Sequence, residues 1–266
     1  MHPILNVAMM AAREAGEIIL RNIDNIDRLN IEEKNKNNFV SEVDRLAEQA
    51  VIRTIHKYYP DHAILAEESG RNKAKSDFEW IIDPLDGTTN YLHQFPQFCV
   101  SIAVLEKGKL MHGVVFDPVR DEMFHATRGG GARLNNRRIR VTEQKNLKHA
   151  LLATGFPYYE FDYIDSYLAS FKSFMLNTAG IRRAGSAALD LAYVAAGRVD
   201  GYWEFNLKPW DIAAGILLVK EAGGLCTDFG GGDNQLESGN VLACTPKLMK
   251  EMAQTLAQTI PAELRK

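Results

Sequence analysis

The sequence predicts an α/β (α+β) protein, and three patterns carry that expectation. Apolar residues recur at helical spacing over residues 3–21, where Ile4, Val7, Ala8, Ala11, Ala12, Ala15, Ile18 and Ile19 form one stripe. Phe98–Leu105, Leu110–Asp117 and Glu122–Thr127 read as consecutive strands joined by turns at 106–109 and 118–121. Beyond residue 150, strand and helix patterns alternate. The chain has 266 residues, 46% of them hydrophobic, enough to bury a substantial core as one domain or two packed halves. It shows no repeat, low-complexity tract or linker, so a single domain over 1–266 is expected, with halves near 1–145 and 146–266.

Composition narrows the function classes. A net charge of −3 gives no global basic field that would demand nucleic acid. Cys99, Cys226 and Cys244 are an odd number in no C-x-x-C pair, which points to packed thiols in a reducing compartment. Residues 2–20 lack the continuous apolar core of a signal peptide, and no run approaches the roughly 18 apolar residues of a membrane span. The expectation is a globular cytoplasmic chain without a membrane partner.

In chain order, the first helix gives way to a polar segment at 22–38, with a short strand expected near Arg28 to Glu33. A second helix follows, from Phe39–Asp44 to about Tyr59, ended by Pro60. Ser41 and Asp44 have capping-box spacing, so Asp44 carries both a structural and a catalytic reading. Ala63–Gly70 reads as a strand ending in Glu67 and Glu68; neighbours on an extended chain point opposite ways, so only one should face a site. Residues 129–136 read as a loop and hairpin leading to 139–141, and they do not open a helix as a dinucleotide fingerprint would. Five arginines lie between Arg128 and Arg140. A solvated hairpin is preferred over a polyanion site for them.

Further strands are expected at Leu151–Thr154, before a break at 155–157, near Ile181, and at Gly201–Phe205. Helices are expected over Tyr163–Leu176, in the alanine-rich run ending at Gly197, over Ile212–Ala222 with Gly223-Gly224 as its cap, and near Pro246 to Gln258. Asp211 opens the helix at 212, either as a plain N-terminal acid or as part of a metal site.

Trp80-Ile81-Ile82-Asp83-Pro84-Leu85-Asp86-Gly87-Thr88-Thr89-Asn90 carries the most chemistry. A buried strand should stop at Pro84, which cannot donate a ladder hydrogen bond. Two carboxylates then stand three residues apart, before a glycine turn and a helix start. Hard oxygen donors suit Mg²⁺, and N–H groups at a helix start suit phosphate. The bland alternative is a surface turn. The spacing differs from the D-x-D-G-T of haloacid-dehalogenase phosphatases, so metal ligation is read here in place of a covalent aspartate.

Taken together, WIIDPLDGTTN, the Glu67-Glu68-Ser69 segment and WDIAAGILLVKEAGG at 210–224 resemble the two signatures of the inositol monophosphatase family. The resemblance extends over nearly the whole chain. MHPILNVAMMAAREAG and RRAGSAALDLAYVAAGRVDG look closest to one bacterial branch. It implies a layered α-β-α-β-α sandwich, mostly antiparallel in its sheets, and usually a homodimer. It further implies two to three Mg²⁺ ions. Glu67, Asp83 and the Leu85 carbonyl would hold the first, Asp83, Asp86 and Asp211 the second, and Glu67 would support a weaker third. Gly87 and Thr88 would bind phosphate through their amides, while Asp44 and the Thr88 hydroxyl would activate water. Gly185, Ser186, Ala187, Glu204 and Arg182 would face the substrate.

The implied activity is Mg²⁺-dependent, lithium-sensitive hydrolysis of myo-inositol monophosphate. Fructose 1,6-bisphosphate and 3′-phosphoadenosine 5′-phosphate are alternative substrates. A separate role implied by the bacterial branch is ribosomal-RNA transcription antitermination with Nus factors, RNA polymerase and RNA.

Overall fold

The computed structural model describes residues 2–24, 31–35, 38–156 and 162–265, without the side chains of 31–41. In chain order its first part holds α1 (Pro3–Asn22), β1 (Ile31–Asn35), β2 (Asn38–Ser41), α2 (Glu42–Tyr58), β3 (Ala63–Ala66), β4 (Gly70–Arg71), β5 (Phe78–Asp86), α3 (Thr88–Leu92), β6 (Cys99–Glu106), β7 (Lys109–Asp117), β8 (Glu122–Thr127), β9 (Gly131–Leu134) and β10 (Arg137–Arg138). The second part holds β11 (Leu151–Thr154), α4 (Ile164–Asn177), β12 (Gly180–Arg182), α5 (Ala187–Ala195), β13 (Gly201–Glu204), α6 (Pro209–Glu221), β14 (Leu225–Thr227), α7 (Gln235–Ser238), β15 (Val241–Cys244) and α8 (Met249–Thr259).

These elements form five layers. The apolar stripe of α1 is buried with that of α2 against β5, β6 and β7. The large sheet has the order β10-β9-β8-β7-β6-β5-β3-β4, antiparallel except where β3 runs parallel to β5. Helices α5 and α6 fill the middle layer. α6 is apolar around its circumference, with Ile212 to Val219 all buried, as a helix between two sheets must be. The small sheet, β12-β11-β13-β15-β14, has two parallel and two antiparallel pairings. α4 and α8 cover its outer face. The layered arrangement matches the expected sandwich; the antiparallel bias holds in the large sheet and is absent from the small one.

Helix α6 approaches the large sheet closely because β7 presents a glycine to it. A Cβ on Gly113 would lie 2.9 Å from the Ala214 carbonyl oxygen. Backbone cannot yield as a flexible side chain does, so Gly113→Ala is expected to cost about 1–3 kcal/mol of stability, the usual scale of overpacking. Denaturant melts check this.

Several expectations are revised. Strand β5 does not stop at Pro84 but runs through it to Asp86. Its ladder with β6 shifts register between Asp83 and Asp86, so the missing proline N–H falls in the irregularity. Glu67 and Glu68 lie in a turn beyond β3. The strand expected near 28–33 begins at Ile31; residues 28–30 lie outside the described residues. Pro157 also lies outside them. The final helix begins at Met249, three residues beyond the expected Pro246. None of the helices among the described residues is long and apolar enough to cross a membrane.

Candidate active site

The shift in β5 turns its end into a shelf. Asp83 is buried, and its Oδ1 accepts the Leu85 N–H at 2.9 Å, which holds the kink. Gly87 follows with φ +98°, a left-handed conformation that a side chain would strain. Chain direction then changes into the single turn of α3. The Thr88 hydroxyl sits 2.9 Å from Asp44 Oδ1 and 3.1 Å from the Leu85 carbonyl, and its one proton serves one acceptor at a time. Asp44, in the first turn of α2, is fully buried. Its proposed cap partner Ser41 has a side chain outside the described residues.

Other elements bring two more acids, Glu67 and Asp211, to that shelf, which already carries Asp86. Glu67 is placed by its own N–H, which donates to the Ile82 carbonyl at 3.1 Å. Buried Glu48 fastens the next two residues by accepting the Glu68 and Ser69 N–H groups at 2.8 and 3.0 Å. Glu67 lines the pocket and Glu68 does not, as expected, although a turn and not strand alternation separates them. Asp86 Oδ2 accepts the Ser186 hydroxyl and the Ala188 N–H, both at 2.7 Å, which ties β5 to the start of α5. Asp211 Oδ2 accepts the Lys208 N–H at 2.7 Å, so Asp211 does cap α6 while also facing the pocket. Asn90 Nδ2 lies 2.7 Å from the Gln97 carbonyl and 2.9 Å from that of Ala184, joining the two halves beside the shelf.

The resulting cavity has a volume of about 470 Å³. Glu67, Asp83, Leu85, Asp86, Gly87, Thr88 and Asp211 line it, as do Gly155, Arg183, Gly185, Ser186, Ala187, Asp190 and Glu204. Of the residues named from sequence for the substrate side, Arg182 is the exception. It is exposed, its Nη1 donates to the Ile181 carbonyl at 3.2 Å, and the arginine lining the cavity is Arg183. Arg183 and Asp190 were not singled out by motif. The arginines between 128 and 140 are exposed and line no part of this cavity, consistent with a solvated hairpin.

The acids are crowded. Burial, then repulsion from Glu67, Asp86 and Asp211, holds the Asp83 carboxyl well above the ordinary carboxylate range. Burial likewise raises Asp211, with Asp86 and Glu67 adding repulsion, and pushes Asp86 up to about 6 against its Ser186 and backbone bonds. Such a set calls for a cation. Among the described residues no three His, Cys, Asp or Glu side chains already enclose an ion position. The donor chemistry fits Mg²⁺: carboxylates and a carbonyl, with the hydrogen bonds described for Asp83, Asp86 and Asp211 falling on a single oxygen of each.

Glu204, on β13, is pushed up to about 7, chiefly by burial, against the lowering effects of the Tyr202 hydroxyl and Arg183. Between pH 4.5 and about 7 the folded protein therefore holds a proton that the unfolded chain has released. Stability falls as pH rises through that window. Glu204→Gln is expected to flatten the decline in Mg²⁺-free thermal melts over that range.

Comparison with known proteins agrees with this fold. The chain belongs to the inositol monophosphatase family, whose model matches residues 1–262. It is 51% identical over 271 residues to the Nus factor SuhB of Pseudomonas aeruginosa, with all of both chains covered. The extragenic suppressor protein suhB of Bartonella henselae superposes with a TM-score of 0.95 at 42% identity, covering 97% of this chain and 100% of that one. An inositol monophosphatase from Anabaena superposes with a TM-score of 0.84 at 38% identity, covering 98% and 97%.

Proposed function

We propose that the chain hydrolyses myo-inositol monophosphate to myo-inositol and phosphate in a Mg²⁺-dependent reaction. One observation carries this: Glu67, Asp83, Asp86 and Asp211, from three separate parts of the chain, line one cavity with Gly87 and Thr88 and lie close enough to repel one another. The four acids and the Leu85 carbonyl would hold two to three ions. Bound Mg²⁺ supplies charge neutralisation for phosphoryl oxygens and makes water more acidic. The chain's own residues do the rest. Gly87 and Thr88 present the amides that begin α3 to phosphate, and such amides lack intrahelical partners. Thr88, held by Asp44, orients the attacking water and passes a proton toward the Asp44 carboxylate. Gly185, Ser186, Ala187 and Glu204 contact the polyol.

The substrate is tested by phosphate release from myo-inositol 1-phosphate, fructose 1,6-bisphosphate and 3′-phosphoadenosine 5′-phosphate. Preference for the inositol ester supports the reading. Turnover of only another ester keeps the reaction class and replaces the substrate. The proposal includes lithium sensitivity, a homodimer and a cytoplasmic location, all on the family resemblance.

A second role rests on a different observation, the naming of the Pseudomonas relative as a Nus factor at 51% identity. It is participation in ribosomal-RNA antitermination with Nus factors, RNA polymerase and RNA. Capture of purified transcription factors by wild type and by Asp83→Asn separates the roles. Binding that survives the substitution is independent of catalysis, and absence of binding in both removes the second role.

A further inference from the structure

The cavity lining holds a carboxyl that the roles assigned above do not use. Among its neighbours, Glu204 accepts the Tyr202 hydroxyl, and the Arg183 guanidinium stacks 4.1 Å from the centre of the Phe156 ring. Asp190 differs from both. The residue is 3% exposed and lines the cavity, yet its carboxyl takes no hydrogen bond from any of the described residues. Among the described residues the one fully enclosed side-chain atom without a partner is Gln97 Nε2, so the Asp190 oxygens open onto the cavity and can be paired from that side.

Its position says what the partner is. Ser186 caps α5 and bonds Asp86 at 2.7 Å, so the start of this helix is fixed to the acid cluster. Asp190 follows four residues later. Residues i and i+4 share a helix face about 6 Å apart along the axis. Asp190 therefore stands about one helical turn along α5 from the residue tied to Asp86, and both line the same cavity.

We propose that Asp190 is a specificity-determining residue whose carboxyl hydrogen-bonds the hydroxyls of a polyol lying between it and the acid cluster. The inference rests on the phosphatase reading of that cluster. Burial, with repulsion from Glu204 and Asp86, outweighs the Arg183 charge and keeps Asp190 protonated to higher pH than an ordinary aspartate. A carboxylic acid both donates and accepts, as hydroxyls do. An apolar ring in the same place leaves the carboxyl unpaired, which is how a polar pocket rejects analogues lacking a hydroxyl.

The test compares wild type, Asp190→Leu, which keeps the branched shape and removes polarity, and Asp190→Asn, which keeps a donor and an acceptor. Calorimetric binding of myo-inositol reads Asp190 without turnover. Phosphate release from phenyl phosphate, which offers no hydroxyl to this wall, reads the reaction. The leucine variant is expected to bind myo-inositol about tenfold more weakly, the loss of one or two hydrogen bonds, with its KM for phenyl phosphate unchanged or lowered. The asparagine variant should stay within about threefold of wild type in myo-inositol binding, because a neutral donor and acceptor remains. Myo-inositol binding equal in wild type and the leucine variant overturns the proposal, as does no binding to wild type. So does a leucine variant that loses phenyl phosphate turnover along with myo-inositol. Loss of myo-inositol binding in the leucine variant, when wild type releases phosphate from neither phenyl phosphate nor myo-inositol 1-phosphate, leaves Asp190 supported and removes the phosphatase reading.

Discussion

Asp83→Asn is expected to lower Mg²⁺-dependent phosphate release by at least about 10²-fold, since even second-layer partners of metal ligands act on that scale. The same change should leave the metal-free protein as stable or more so. Asparagine keeps an oxygen for the Leu85 N–H and removes a charge that Glu67, Asp86 and Asp211 repel. Activity and stability then move in opposite directions, which separates a functional acid from a structural one. Mg²⁺ should raise the melting temperature of wild type, because a ligand that binds only the folded state stabilises it, and should do so less for the variant. Phosphate-release assays and paired melts read all of this. A variant with wild-type turnover would remove Asp83 from the metal site.

The second large effect belongs to Thr88 and Asp44. Their 2.9 Å contact joins the start of α3 to the first turn of α2, and its only proposed use is to hold the attacking water. Thr88→Ala should lower kcat by about 10²- to 10⁴-fold, the range for a positioned proton-transfer group. Thr88→Ser keeps the hydroxyl and should recover most of the rate. Asp44→Asn combined with Thr88→Ala should cost little more than either alone, because groups acting as one unit are not additive. Additive losses in that double-mutant cycle would show two independent roles.

Much of this was legible from residue order because the signals are strong. The stripe of α1, the ladder of β6 to β8 and the glycine cap of α6 each follow from periodicity or turn chemistry. The misreadings have local causes. Pro84 forbids a regular ladder bond but not a bulge, and the register shift that tolerates it also sets Asp83 and Asp86 at the pocket. Strands β14 and β15 went unread because three and four residues are too few to show alternation. Val241 to Cys244 is also buried along its whole length, which erases the pattern.

The site divides in the same way. Its acids sit in two signatures whose residue types state their chemistry. The polyol wall is assembled by tertiary packing: Arg183 replaces Arg182 just beyond the end of β12, and Asp190 reads in sequence as an ordinary acid near a helix start.

The most direct test of the central claim is phosphate release from myo-inositol 1-phosphate by folded protein, first stripped of metal and then titrated with Mg²⁺. Release that is absent without the ion, rises and saturates as it is added, and is lost in Asp83→Asn is the predicted result. Release that persists undiminished in chelator, or no release at any Mg²⁺ concentration from folded protein, would contradict the account.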